Sequence, residues 1–74
     1  MNDIKIRFGN KLKKLRKEKT GLSQESFAAQ IDLDRTYYSS IENGKRNVSL
    51  VNLEKISAGL GITLSELFSD IEKE

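Results

Sequence analysis

Apolar residues recur at helical spacing along nearly the whole chain. Ile4, Phe8, Leu12 and Leu15 follow one another at intervals of four, four and three residues, which places them on one face of a helix. Shorter apolar rows repeat this spacing further along the chain. The pattern predicts five helices, over about residues 3–19, 24–31, 35–43, 50–60 and 64–73. We therefore expect an all-α fold, a compact five-helix bundle.

Polar residues stand where each predicted helix should begin. Side-chain oxygens at such positions accept hydrogen bonds from the free amides of the first helical turn. The predicted N-caps are Asp3, Ser23, Asp34, Ser49 and Thr63. Glu66 follows Thr63 at the spacing of a capping box. In the fourth helix, the residues expected to face the core are Leu50, Leu53, Ile56 and Leu60.

The composition excludes several kinds of chemistry. The 74 residues include no cysteine and no histidine, which leaves no disulfide, no zinc site built from those residues and no imidazole base. No glycine-rich phosphate loop is present. No apolar run approaches the roughly 20 residues of a membrane helix, and the N-terminus does not resemble a signal peptide. We expect a single cytoplasmic domain over residues 1–74, with no enzymatic activity, no cofactor and no metal.

The net charge of +2 conceals an uneven distribution. Residues 1–22 carry eight basic and two acidic side chains, a net charge of +6. Residues 23–46 carry three basic and four acidic side chains (−1), and residues 47–74 carry two and five (−3). A basic segment suggests a polyanionic partner such as nucleic acid. A solvated helix face gives the same pattern, so charge alone leaves both interpretations open.

The second and third predicted helices form a recognisable pair. The three-residue turn Asp32-Leu33-Asp34 joins them, which is the arrangement of a helix-turn-helix. The third helix offers only Tyr38 and Ile41 to a core, so most of its circumference is left for something outside the domain. An α-helix fits the major groove of B-DNA, where polar side chains reach the base edges. An ordinary surface helix is the alternative.

Specific residues in this region resemble a known family. Leu22-Ser23-Gln24-Glu25 opens the second helix, Ala28 stands at its packing position, and Ile41-Glu42-Asn43-Gly44 closes the third. At this separation these elements are similar to the XRE helix-turn-helix family of phage Cro and cI repressors. The resemblance covers about residues 8–70 and implies a lambda-repressor-like domain with its helix-turn-helix at about 23–43. It also implies a bacterial or phage protein associated with the nucleoid.

A narrower resemblance lies in Arg35-Thr36-Tyr37 and the later run Arg46-Asn47-Val48-Ser49-Leu50. These segments are similar to the controller proteins of restriction–modification systems. The resemblance implies a transcription regulator that binds palindromic double-stranded operators as a homodimer, with RNA polymerase as a further partner if it activates. Within the family, a prophage-type repressor or another XRE switch is an alternative interpretation. From a different functional class, the alternative is a protein-interaction module such as an antitoxin or co-activator.

The position of each residue within the motif, together with the family resemblance for Gln24 and Ser40, predicts its contact with DNA. Arg35 begins the third helix, where a guanidinium pairs bidentately with guanine; a surface ion pair with Asp34 or Asp32 is the alternative. For Ser39, the alternative to a base contact is that its small side chain points inward. The predicted base contacts are Arg35, Thr36, Ser39 and Ser40. The predicted contacts to the DNA backbone are Ser23, Gln24, Tyr37, Lys45, Arg46 and Asn47.

Two expectations concern the interior of the domain. The resemblance implies an ion pair between Arg16 and Glu42. One residue more than usual separates Arg16 from Gly21, which leaves Lys17 as the alternative partner. Tyr38 stands where the family often has isoleucine or valine, so its ring must be buried and its hydroxyl needs a hydrogen-bond partner.

The apolar stripe of the fifth helix is larger than a short terminal helix needs for its own packing. A two-fold dimer would place two recognition helices about 34 Å apart, one turn of DNA. We expect the dimerisation segment over about 62–72, with Leu64, Leu67, Phe68 and Ile71 at the interface. The alternative is that Leu67 and Phe68 close the core of the protomer.

Overall fold

Residues 3–73 are described by a computed structural model of the chain. Within this range the chain forms five α-helices and no β-strand, which confirms the predicted all-α fold. The helices are α1 (Ile4–Lys19), α2 (Gln24–Gln30), α3 (Arg35–Glu42), α4 (Leu50–Leu60) and α5 (Leu64–Phe68), and a 3₁₀ turn (Ile71–Lys73) follows. None of the helices in this range is long and apolar enough to cross a bilayer. Residues 1–2 and 74 of the predicted domain lie outside the described residues.

The predicted N-caps begin all five helices. Each cap residue has an extended backbone, and its side chain accepts a hydrogen bond from an amide in the first turn. At the start of α5, the hydroxyl of Thr63 accepts from the Glu66 amide, and the Glu66 carboxylate accepts from the Thr63 amide. This is the predicted capping box, and it fixes the start of a helix of only five residues.

The turn between α2 and α3 depends on Asp32. This residue has φ of 61°, in the left-handed region that aspartate tolerates better than most residues. The chain then reverses so that the Leu33 amide donates to the Ala28 carbonyl at 2.9 Å. The two helices of the motif therefore meet over a short, hydrogen-bonded connection.

The core lies where α1 crosses the helix pair. α1 contacts α3, α4, α5 and the 3₁₀ turn, while α2 packs on α3 and α4 packs on α5. Phe27 and Tyr38 meet edge to face with ring centroids 5.5 Å apart. The largest fully buried side chains are Tyr38, Phe27, Leu12, Ile41, Ile56 and Leu67. Both helices of the motif are thus anchored by aromatic rings in one core.

The C-terminal segment differs from the prediction of one helix over 64–73. α5 ends at Phe68 because Ser69 has an extended backbone, and Asp70 then adopts φ of 65°. Ile71 then folds back into the core. The side chain of Lys11 donates to the Ser69 and Glu66 carbonyls, and Arg7 Nε donates to the Ile71 carbonyl at 2.9 Å. Cations of α1 therefore bind main-chain carbonyls at and beyond the end of α5 and tie this segment to the first helix.

The predicted inner row of α4 is wrong at its first position. Leu50 is 78% exposed, and Val51 beside it is 65% exposed. Leu53 packs against the core, and Ile56 and Leu60 are buried. The first turn of α4 extends beyond the core, so the apolar row contacts it only from Leu53 onward.

Gly9 lies where α1 and α3 approach most closely. A β-carbon at this position would lie 2.5 Å from the Glu42 carbonyl oxygen and 2.7 Å from the Ile41 carbonyl oxygen. These atoms belong to the backbone of α3, so they do not move aside as the end of a flexible side chain does. The crossing of the two helices therefore requires glycine here.

We expect Gly9→Ala to destabilise the domain by about 2 kcal/mol, because the added methyl group must push α1 away from α3. Alanine ordinarily stabilises a helix relative to glycine by about 1 kcal/mol. A loss of stability would therefore come from the clash between the added methyl group and the backbone of α3. Urea unfolding measures the change. Asn10→Ala, at an exposed position of the same helix, is the matched control and should stay within about 0.5 kcal/mol of the parent. A Gly9→Ala variant as stable as the parent would contradict the close approach.

Candidate nucleic-acid interface

Glu42 ends α3 and is only 4% exposed, so its carboxylate is buried. Arg16 approaches it through Nε at 2.7 Å and Nη2 at 3.2 Å. The Tyr38 hydroxyl donates to it at 2.6 Å, and Gln24 Nε2 donates at 2.8 Å. One buried charge is thus held by side chains from all three of the first helices.

The electrostatics of this cluster follow from its donors. Burial by itself raises the pKa of Glu42, but the hydrogen bonds from Arg16, Tyr38 and Gln24 outweigh that effect and lower it below its usual value of 4.5. Burial and the neighbouring carboxylate raise the pKa of Tyr38 far above its ordinary value. The carboxylate therefore stays ionised and the tyrosine stays protonated at neutral pH.

Arg16, and not Lys17, is the partner of Glu42. The Arg16 side chain also donates through Nη1 to the Leu22 carbonyl at 2.7 Å. The extra residue in the connection is accommodated beyond the pair, because the Thr20 and Gly21 amides both donate to the Arg16 carbonyl. Lys17 is exposed. The bidentate arginine geometry therefore survives the lengthened connection.

Two predicted backbone contacts at the start of α2 use their side chains inside the protein. The Ser23 hydroxyl accepts from the Ser26 amide at 3.1 Å as the N-cap. The Gln24 side chain is turned towards Glu42, a contact that the sequence analysis missed. A glutamine at the first position of a helix looks exposed in a sequence, and only the buried carboxylate on the neighbouring helix explains its orientation.

The outer face of α3 gathers the predicted base contacts around one open depression. Arg35 and Thr36 are exposed, and Ser39 and Ser40 are half-buried. The depression is lined by Arg35, Thr36, Ser39, Ser40, Asn43 and Lys45. The sequence analysis did not assign Asn43 to this face. Among the residues that the structure describes, Arg35 makes no ion pair, so the alternative pairing with Asp34 or Asp32 does not occur.

A second polar cluster borders this face. The Ser40 hydroxyl donates to the Tyr37 carbonyl at 2.6 Å and accepts from Arg46 Nε at 3.0 Å. The Arg46 guanidinium lies over the Tyr37 ring, 5.6 Å from its centroid. Asn52 of α4, which the sequence analysis did not single out, donates to the Tyr37 hydroxyl at 3.1 Å. Lys45 and Asn47 in the loop between α3 and α4 are exposed.

The predicted dimer residues divide into two groups. Leu67 is fully buried and Ile71 is 5% exposed, so both belong to the protomer core and their assignment to an interface is wrong. The turn at Asp70 explains Ile71, because it returns the chain to the core. Leu64 and Phe68 are 39% and 38% exposed. Phe68 also stacks on Phe8 with ring centroids 5.6 Å apart. This contact holds the Phe68 ring in place while part of it stays exposed.

Comparison with known proteins identifies the family. The profile of the helix-turn-helix family matches residues 12–67. The chain belongs to the helix-turn-helix family. It is 99% identical over 74 residues to the control protein C.MunI of a Mycoplasma species, and the match covers all of both chains. The narrower resemblance to controller proteins is confirmed by this relative and by solved structures.

Two of these solved structures have the same fold as this chain. The restriction–modification controller protein C.AhdI of Aeromonas hydrophila is 48% identical, with a TM-score of 0.82 over 86% of this chain and 96% of that one. The controller protein C.Esp1396I is 36% identical, with a TM-score of 0.83 over 99% and 95% of the two chains. That protein was solved as a tetramer in complex with its natural 35-base-pair operator.

We expect Glu42→Gln to lower the free energy of unfolding by about 3 kcal/mol, because it leaves the buried Arg16 without its counter-charge. Folding lowers the pKa of Glu42, so the stability it contributes is complete above pH 4.5 and is lost as the pH falls below that value. Urea unfolding between about pH 7 and about pH 3 measures both effects.

The matched control is Glu25→Gln, at an exposed position of α2, which should change stability by less than about 0.5 kcal/mol. The acid-dependent loss should be smaller in Glu42→Gln than in the parent protein. Equal destabilisation by the two substitutions would show that the buried carboxylate does not organise the three helices.

Proposed function

We propose that this chain regulates transcription as the controller protein of a restriction–modification system, bound as a homodimer to palindromic operator DNA. The outer face of α3 is the observation that carries the proposal. It presents Arg35, which makes no ion pair among residues 3–73, together with Thr36 and Ser39, whose hydroxyls make no hydrogen bond there, and Ser40. An α-helix with such a face fits the major groove, where base edges offer matching donors and acceptors.

The proposed base contacts follow the position of each side chain on α3. Arg35 pairs with guanine O6 and N7, and Thr36 offers a methyl group to thymine or a hydroxyl to a base. Ser39 lies one turn further along and faces the same depression. The Ser40 hydroxyl already donates once and accepts once, so it offers one remaining lone pair to a donor on DNA.

The proposed backbone contacts surround that helix. Lys45, Arg46 and Asn47 neutralise or bind phosphates beyond the end of α3, and Tyr37 offers its hydroxyl beside them. Ser23 and Gln24 stand at the start of α2, and we assign their contacts to the main-chain amides because their side chains bond within the protein. The exposed cations of α1 contribute long-range attraction.

The proposed dimer interface uses the exposed apolar residues, which differ from the predicted set. Those of α4 and α5 are Leu50, Val51, Leu64 and Phe68, whereas Ile4 and Ile6 of α1 are also exposed and lie outside the proposed interface. A shallow depression beside them is lined by Val48 and Leu53, which flank the start of α4, and by Phe68 of α5. Exposed apolar patches of this kind mark protein–protein contacts. Two protomers joined there present two copies of α3, and C.Esp1396I, a tetramer on its natural 35-base-pair operator, supports assembly of more than one dimer on DNA.

We further propose that the domain spans residues 1–74, with the helix-turn-helix at about 23–43 and dimerisation through 62–72 together with the first turn of α4. We propose that it acts in the cytoplasm without catalytic activity. The family is one of DNA-binding regulators, and the sequence offers no histidine or cysteine for catalysis. RNA polymerase is a further partner if the controller activates.

Selection of bound sequences from a random duplex library tests the function directly. We expect a palindromic site and an affinity that falls steeply with salt, because phosphate contacts release counterions. Binding that is absent or insensitive to salt would favour a protein-interaction module instead. The genes beside the coding sequence distinguish a restriction–modification controller from a prophage repressor.

Arg35→Ala should weaken binding to the selected duplex by about 1–3 kcal/mol and relax selectivity at one base position. Repeating the selection with the variant measures the change in selectivity. Lys13→Ala, which removes an exposed cation of α1, is the matched control and should lower affinity slightly for every sequence. A uniform loss with Arg35→Ala would reassign Arg35 to a phosphate contact.

Val51→Glu should convert the dimer to monomers, because it places a charge at the centre of the proposed interface. Sedimentation equilibrium measures the association, and circular dichroism verifies that the helices remain. Phe68→Glu should have the same effect but also loses the stacking on Phe8. Lys55→Glu, a charge change further along α4, should leave the dimer intact. Dimers that persist in both Val51→Glu and Phe68→Glu would place the interface elsewhere.

A further inference from the structure

A polar contact joins the starts of α3 and α4. Tyr37 is the third residue of α3, and its amide donates to the capping Asp34 side chain at 3.0 Å. Asn52 is the third residue of α4, and its amide donates to the capping Ser49 hydroxyl at 3.2 Å. The two helix starts are therefore fixed by their own caps, and Asn52 Nδ2 reaches the Tyr37 hydroxyl at 3.1 Å.

The Tyr37 ring has little freedom to move. The half-buried side chain packs against the core, and the Arg46 guanidinium lies over the ring. Arg46 is itself held by Ser40, whose hydroxyl donates back to the Tyr37 carbonyl. The position of the hydroxyl oxygen is thus set by the protein before any partner binds.

The direction of the hydrogen bond decides what the hydroxyl can offer. The amide nitrogen of asparagine is a donor only, so the Tyr37 oxygen accepts from Asn52. A tyrosine hydroxyl has one hydrogen, and no hydrogen bond among residues 3–73 uses it. Because the protein satisfies an acceptor position of this oxygen, the hydrogen is left to donate to an acceptor outside the protein.

We propose that Asn52 is a positioning residue that makes the Tyr37 hydroxyl an outward hydrogen-bond donor for operator DNA. The partner atom is an acceptor, either a phosphate oxygen or an acceptor on a base edge in the major groove. This inference rests on the proposed function, because it requires α3 to lie against DNA. Asn52 itself does not touch the DNA, so its effect on affinity passes through Tyr37.

Substituting an acceptor for the donor tests the direction of the bond. In Asn52→Asp the new carboxylate accepts the tyrosine hydrogen, so the tether survives but the donor is withdrawn from DNA. The added charge also repels phosphates, and the same substitution in the Tyr37→Phe background measures that repulsion alone. A labelled duplex, selected from a random library by the parent protein, is the probe for fluorescence anisotropy.

We expect Asn52→Asp to weaken binding about tenfold more in the parent than in the Tyr37→Phe background, the size of a hydrogen bond to a strong acceptor. Asn52→Ala, which leaves the hydroxyl free to rotate, should weaken binding about threefold in the parent and not at all in Tyr37→Phe. Thermal unfolding verifies that each variant folds. If Asn52→Asp does not fold, the comparison of Asn52→Ala in the parent and in Tyr37→Phe tests the inference.

Equal losses in the two backgrounds would overturn the inference, since a purely structural tether or charge repulsion predicts that result. Binding by Tyr37→Phe as tight as that of the parent would overturn it as well, while the proposed function would stand. Failure of the parent to bind any duplex would overturn both. Within a positive result, a Tyr37→Phe loss shared by all sequences identifies a phosphate, and a loss confined to one position identifies a base.

Discussion

The arrangement of the first three helices depends on one buried carboxylate. Glu42 closes α3 and receives donors from α1, from the start of α2 and from its own helix. A buried ion pair costs much of its Coulomb energy in desolvation, so its value lies mainly in the loss that follows when one partner is removed. We therefore expect the cluster to fix how α3 packs against α1 and α2 more than it adds net stability.

Tyr38 shows how this chain adapts the usual plan. An aliphatic residue here would fill the core, but the tyrosine also brings a hydroxyl that completes the shell around Glu42. Its ring meets Phe27 edge to face, which anchors α3 to α2 as well. One residue thus supplies both apolar packing and a charge-assisted hydrogen bond, and α3 can leave the rest of its surface polar.

The helices, their caps and the family were predictable from the sequence because each depends on local pattern. Asp34 and Ser49 mark helix starts by residue type and position alone, and the separation of the two family motifs is distinctive. Leu50 and Ile71 were assigned wrongly because periodicity does not show where a core ends or where Asp70 turns the chain. Asn52 was missed because its partner lies 15 residues away, on another helix.

The interior use of three cations changes how the basic N-terminal segment should be counted. Arg16 neutralises a buried carboxylate, while Arg7 and Lys11 cap carbonyls at the far end of the chain. Arg16 thereby ties α3 to α1, and Arg7 and Lys11 tie the last residues of the fold to α1. Arg16 is neutralised by its buried partner, so the charge that a polyanion meets is reduced by that pair, and the cations that turn outward are the exposed lysines of α1.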